Sequence, residues 1–279
     1  MIDKELTTRF EAYLKDLMGK NDNSVYDAMN YSLSAGGKRI RPYLAMLACR
    51  ALGGKAEDVF PFATAIEMVH TYSLIHDDLP AMDNDDLRRG KPTSHKVYGE
   101  AMAILAGDAL LTEAFSVIAE SDLSADKKIR AAGALSKRAG AKGMVLGQAL
   151  DMKGSESLDG LLLMYERKTS DLLAAALSMG AIAAGGKGDE FDTFAKYTGI
   201  AFQVMDDILD VTSSEEKLGK NINSDGKNDK ITSLSFMTME DAKNMLEDYT
   251  ARAVDSLAFL GDKDKELKEL AYFLMKRDY

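Results

Sequence analysis

Two groups of aspartates lie in stretches that are otherwise apolar. The first runs His76-Asp77-Asp78-Leu79-Pro80-Ala81-Met82-Asp83-Asn84-Asp85-Asp86-Leu87-Arg88-Arg89, and the second Phe202-Gln203-Val204-Met205-Asp206-Asp207-Ile208-Leu209-Asp210. Carboxylates are costly to bury unless they are paired or bound to a cation. Two such groups, far apart in the chain, read as facing walls of one site filled by hard divalent ions. Magnesium fits best, because it takes oxygen ligands and is shared between a few carboxylates and substrate phosphates.

In the second group Gln203, Asp206, Asp207 and Asp210 follow an i, i+3, i+4, i+7 spacing, which forms one stripe on an α-helix. Phe202, Val204, Met205, Ile208, Leu209 and Val211 cover the other faces. A surface helix carries a broad polar face, whereas this one has a narrow acidic seam. Upstream of the first group, Glu67, His70, Ser73 and Asp77 form a second polar stripe among Ile66, Met68, Val69, Leu74 and Ile75. Pro80 disturbs that helix, which places Asp83 in its distorted end or the turn beyond. On a straight helix six residues would rotate Asp83 about 120° from Asp77. A calcium loop starting at Asp83 is excluded, since Leu87 and Arg88 take a ligand position and the required glycine.

All four prolines (Pro42, Pro61, Pro80, Pro92) fall in the first third, so none interrupts a helix after Thr93. With abundant Ala, Leu, Met, Lys and Glu, this predicts an all-α protein. Gly36-Gly37, Gly53-Gly54 and Gly185-Gly186-Lys187-Gly188 read as helix ends. No linker or repeat is visible, and the expectation is one domain of many packed helices over residues 1–279. The net charge of −10 disfavours nonspecific binding to nucleic acid or anionic membrane. The single Cys49, in an apolar run, reads as a buried packing residue. No apolar run approaches the roughly 20 residues of a membrane span and no signal peptide is visible, so a reducing cytoplasm is expected.

Cations accompany the acids. Arg88 and Arg89 follow the first group directly, and Gly36-Gly37-Lys38-Arg39-Ile40-Arg41-Pro42 places three in four residues. A metal-bridged diphosphate beside a second, metal-free one would need this mixture, with metal on the first anion and Arg and Lys on the second. The polar stretch Thr212 to Lys230, with Lys220, Lys227 and Lys230, reads as a long loop serving as a lid.

From about Gly36 to the C-terminal helix the chain resembles the trans-isoprenyl diphosphate synthases. Asp77-Asp78-Leu79-Pro80-Ala81-Met82-Asp83 is similar to the family's first aspartate-rich motif, and Asp206-Asp207-Ile208-Leu209-Asp210 to its second, with Gln203 in the expected place. Gly36 to Pro42, Gly147-Gln148 and Lys168-Thr169 match further family segments in order. The details look most like the bacterial short-chain branch that makes farnesyl diphosphate. The segment from Met152 to Glu156 looks shortened, and Tyr165 stands where many relatives carry histidine before the Lys-Thr pair. Neither departure is expected to touch a proposed ligand.

The resemblance implies helices packed around a deep central cavity, as a homodimer, and head-to-tail condensation of isopentenyl diphosphate with an allylic diphosphate. It implies three magnesium ions per site, with manganese able to substitute, on Asp77, Asp78, Asp83, Asp206, Asp207 and Asp210. Arg88 and Lys220 or Lys230 would assist on the allylic diphosphate. Lys38, Arg41, His70 and Arg89 would hold isopentenyl diphosphate, and Lys168, Thr169 and Gln203 would line the path of the developing cation. Tyr72, with Ser73 beside it and Val69 one turn deeper, would close the cavity and limit the product to fifteen carbons; geranylgeranyl diphosphate is the alternative product. A terpene cyclase is a rival reading, but Asp210, Ser213 and Lys217 put a lysine where its second metal site needs an acid. A noncatalytic subunit would be expected to have lost acids from one group, yet both are complete.

Overall fold

The structure, a computed structural model, describes residues 3–19, 23–218 and 231–275. The helices run α1 (Lys4–Met18), α2 (Ser24–Leu33), α3 (Ile40–Ala51), α4 (Phe60–Asp77), α5 (Ser94–Tyr98), α6 (Glu100–Glu120) and α7 (Ala125–Ala139). They continue as α8 (Met144–Lys153), α9 (Leu158–Tyr165), α10 (Asp171–Ala183), α11 (Asp192–Leu218), α12 (Met239–Asp255) and α13 (Lys265–Met275). Among the described residues the only strands are β1 (Leu87–Arg88) and β2 (Lys91–Pro92), an antiparallel pair. The all-α expectation is met. Contacts divide the chain into two compact units, Ile2–Lys137 with Ala175–Glu190, and Met1 with Arg138–Ala174 and Phe191–Tyr279.

In the first unit, α4 follows from a sequence that is apolar nearly all round. Pro61 sits in its first turn, where a missing N–H costs no helical bond. Every residue from Phe62 to Val69 is buried, including Glu67, and α2, α3 and α6 pack around it. The α4–α6 approach depends on Gly107, where a Cβ would lie 2.1 Å from His76 Nε2. Likewise α10 crosses α3 so closely that a Cβ on Gly180 would meet the Ala45 carbonyl at 2.1 Å.

One sequence expectation needs correcting. Helix α6, 21 residues containing an 18-residue stretch of mean hydropathy 1.6, is by length and composition long and apolar enough to cross a membrane. In this fold it packs along α4 and buries Ala103, Ala106, Gly107, Leu110, Ala114, Val117 and Ile118. Cys49 is buried as expected; its thiol donates to the Lys55 carbonyl, and burial pushes its pKa up to about 11. The glycine groups do terminate helices α2, α3 and α10, with Gly36, Gly53 and Gly185 all at positive φ.

In the second unit, α9, α11 and α12 meet over a core of Leu161, Met164, Tyr165, Ile200, Val204 and Ile208. A π-helical turn, Glu166–Ser170, connects α9 to α10. Helix α11 extends to Leu218, so the stretch expected as loop from Thr212 begins as helix. Lys220, Lys227 and Lys230 lie outside the described residues.

Candidate active site

Helix α4 delivers the first acidic group. Pro80 has no N–H to continue the helix, and the chain turns back on itself. The Asp83 N–H donates to the Asp77 carbonyl at 2.8 Å, and the Asn84 N–H to the Leu79 carbonyl at 3.1 Å. Asp83 therefore returns beside the end of α4 instead of rotating away, as the proline predicted. Asp77 is half-buried and Asp83 exposed.

The β1–β2 ribbon follows, joined by Arg89 and Gly90, both at positive φ (55° and 75°). Two consecutive left-handed residues make the tight turn whose twist suits a hairpin. The turn sends the two arginines to different tasks. Arg88 grips buried Asp78, with Nε and Nη2 at 2.7 and 2.5 Å from Oδ1, and reaches Asp85 at 3.4 Å. Arg89 Nη1 donates to the Gly36 carbonyl, and its guanidinium lies where a Cβ on Gly37 would fall. Gly37 is thus needed for space as well as for its φ of 129°.

This brings Arg89 to the segment that carries Lys38 and Arg41. Arg41 Nη1 donates to His70 Nε2 at 3.2 Å. A guanidinium cannot accept, so His70 is neutral there with its proton on Nδ1. Burial first, then Arg41 and Arg89, lowers the His70 pKa well below the ordinary 6.5. Burial also lowers Arg41, to about 10, with Arg89 adding to it and Glu67 opposing. Arg41 Nε is buried and has no protein acceptor among the described residues. Two arginines around a neutral histidine, with a donor aimed at no protein group, is an arrangement that favours an anion. Lys38 is exposed at the rim of the same segment.

The second unit holds the other expected residues. Lys168 and Thr169 ride on the π-helical turn, a feature often found at functional positions. Glycines let two helices close on it: a Cβ on Gly147 would lie 2.2 Å from the Lys168 nitrogen, and one on Gly199 2.2 Å from Ser170 Oγ. Lys168 Nζ pairs with Asp151 at 2.5 Å, and the Thr169 hydroxyl donates to Gln203 Oε1. Helix α11 carries Asp206, half-buried, and Asp210, exposed, one turn apart.

Two expected metal ligands are engaged inside the protein. Asp78 holds Arg88, as above. Asp207 is buried, and its Oδ2 accepts from the Tyr165 hydroxyl at 2.6 Å and from the Ser233 N–H at 2.8 Å. Burial first, then the Asp207 charge, pushes the Tyr165 pKa up, which keeps the donor protonated. This corrects the expectation that Tyr165 touches no proposed ligand. The sequence reading gave no role to Asp151 or Arg39, and it placed Glu67 in the polar stripe of α4 without assigning it a partner.

Both acid groups present the hard oxygen donors that magnesium takes. Asp77 with Asp83, and Asp206 with Asp210, each supply a pair of hard oxygen donors. Among the described residues no three His, Cys, Asp or Glu side chains gather closely enough to hold a metal alone.

The family model described as Polyprenyl synthetase matches residues 22–265, which span both units. The chain belongs to the polyprenyl synthetase family. It is 46% identical over 260 residues to the farnesyl diphosphate synthase of Micrococcus luteus, covering 91% of this chain and 89% of that one. It is 43% identical over 273 residues to the geranylgeranyl diphosphate synthase of Cyanophora paradoxa, covering 95% and 91%. The crystal structure of a geranyltransferase from Legionella pneumophila superposes with a TM-score of 0.86 at 34% identity, covering 98% of this chain and 95% of that one. The fold of this polyprenyl synthetase is therefore that of solved prenyltransferases.

Proposed function

We propose that the chain condenses isopentenyl diphosphate head-to-tail with dimethylallyl and then geranyl diphosphate, giving farnesyl diphosphate. The observation that carries this is the pairing, within one unit, of two anion sites of different chemistry. The Asp77–Asp83 turn is suited to a metal-bridged diphosphate, and the Arg41–His70–Arg89 cradle to one without metal. A cyclase, which takes one substrate, has no use for the second.

In this reading Asp77, Asp83, Asp206 and Asp210 bind the allylic substrate's magnesium, three ions per site, with manganese able to substitute. Bound magnesium supplies Lewis-acid neutralisation of the departing diphosphate. Arg88 braces the acid motif through Asp78, and Lys220 or Lys230 closes on the leaving group. Lys38, Arg41, His70 and Arg89 orient isopentenyl diphosphate so that its double bond meets the allylic carbon. Lys168, Thr169 and Gln203 line the path of the developing cation. The released diphosphate takes the final proton, because burial and then Arg41 lower the His70 pKa and make that imidazole a poor base. The enzyme works as a cytoplasmic homodimer; exposed Ile104 and Leu105 on α6 support a pairing surface.

Incubating the purified protein with labelled isopentenyl diphosphate, geranyl diphosphate and magnesium should give farnesyl diphosphate. Full activity in excess chelator, or a cyclic product formed without isopentenyl diphosphate, would overturn the reading. Geranylgeranyl diphosphate as the main product would select the second reading, which the similarity to both kinds of synthase keeps in play. Buried Tyr72 on α4 favours the shorter product.

A further inference from the structure

Arg39 lies between two cradle residues, yet all its polar contacts are internal. Its side chain is 2% exposed. Nε donates to Glu11 on α1 at 2.6 Å, Nη1 to Glu67 on α4 at 2.6 Å, and Nη2 to the Leu33 carbonyl at the end of α2 at 2.6 Å. Its backbone is left-handed, φ 48° and ψ 38°, and its carbonyl accepts from the Tyr43 N–H to begin α3. A residue with a Cβ holds that conformation only where its surroundings impose it.

These contacts place one guanidinium at the junction of the two halves of the cradle. Lys38 precedes Arg39 directly and Arg41 follows two residues on. On α4, Glu67 is one turn from His70. The buried ion pair thus ties the backbone that presents Lys38 and Arg41 to the helix that presents His70. A fully buried pair is a poor source of stability, because desolvating both charges offsets most of their attraction, whereas its directional fork can fix a geometry. We propose that Arg39, through Glu67, is a positioning residue for the metal-free diphosphate site. This rests on the assignment of Arg41, His70 and Arg89 to isopentenyl diphosphate made above.

The test compares Arg39→Gln, the double variant Arg39→Met/Glu67→Leu, and Arg41→Ala with the wild type. The measurements are Tm, kcat, KM for each substrate, and calorimetric binding of isopentenyl diphosphate in excess EDTA. Arg39→Gln should raise KM for isopentenyl diphosphate about 10-fold, as expected when binding groups shift by less than 1 Å. The allylic KM and kcat should stay within about twofold, the pattern of lost substrate binding. The double variant leaves no unpaired charge from the Arg39–Glu67 pair, so it should regain Tm while the raised KM and weakened metal-free binding persist. Recovery of KM together with Tm, or a fall in Tm with KM unchanged, would show that the pair only stabilises. If Arg41→Ala leaves isopentenyl diphosphate binding intact, the cradle assignment fails and this inference with it.

Discussion

The Asp83 N–H closes onto the Asp77 carbonyl at 2.8 Å, and this bond turns a pair six residues apart into neighbours. Two acidic residues whose backbones are so joined should act on one metal-bound anion as a unit, and residues that act as a unit lose function non-additively. Asp77→Ala and Asp83→Ala should each reduce kcat by about 1,000-fold, the upper range for removing one transition-state charge partner. The double variant should be little worse than the worse single. Multiplying effects, measured under saturating magnesium and both substrates, would mean that the two acids serve separate ions.

The Tyr165–Asp207 hydrogen bond predicts a stability effect. Tyr165→Phe removes a donor to a buried carboxylate and leaves Oδ2 with the Ser233 N–H. A lost hydrogen bond to a charged group costs about 1.5–3 kcal/mol, readable as a lower urea midpoint at unchanged slope. Tyr165→His, which restores a ring donor, should recover part of the loss. Equal stability of the phenylalanine variant and the wild type would show that the Ser233 amide alone satisfies Asp207.

A pH dependence follows from His70. Its folded pKa lies well below the ordinary 6.5 because of burial and then Arg41. As pH falls through the unfolded value of about 6.5, the unfolded chain takes up a proton that the folded chain does not. The unfolded state then binds more protons, so this contribution is present above that pH and lost as pH falls toward the folded pKa. The stability advantage of wild type over His70→Gln should therefore shrink between about pH 7.5 and about pH 5. A difference constant across that range would mean that His70 is not held neutral.

How far the sequence could be read depended on whether a residue's role is local. The stripe spacing on α11 and the proline after α4 were legible, because helical periodicity and a missing N–H act within a few residues. Asp206 and Asp207 could not be told apart, since only the fold reveals that Asp207 meets Tyr165 and Ser233. Nor could Arg39 be separated from Lys38 and Arg41. One left-handed residue sends its side chain to Glu11 and Glu67, and three adjacent cations look alike without that dihedral. The π-helical turn under Lys168 was invisible for a related reason: a single extra residue in a helix leaves local composition unchanged.

Product length is the final expectation, and it turns on Tyr72. The residue is buried on α4, five positions before Asp77, about 7.5 Å along the helix at 1.5 Å per residue. Its ring stands edge-on to His76 with centroids 5.7 Å apart. Val69, one turn deeper, is fully buried, and the Ser73 hydroxyl is turned back to the His70 carbonyl at 2.8 Å. Of the two residues expected to close the cavity, Tyr72 is therefore the one with bulk to stop a growing chain. Replacing a buried aromatic with alanine leaves a void that the fold fills only in part, and one more isoprene unit matches its apolar character. Tyr72→Ala should shift the product from fifteen carbons to twenty or more while leaving KM for isopentenyl diphosphate near wild type, as resolved by chromatography of the dephosphorylated products. An unchanged fifteen-carbon product would move the floor away from Tyr72. Geranylgeranyl diphosphate as the main wild-type product would show that Tyr72 is no floor at all.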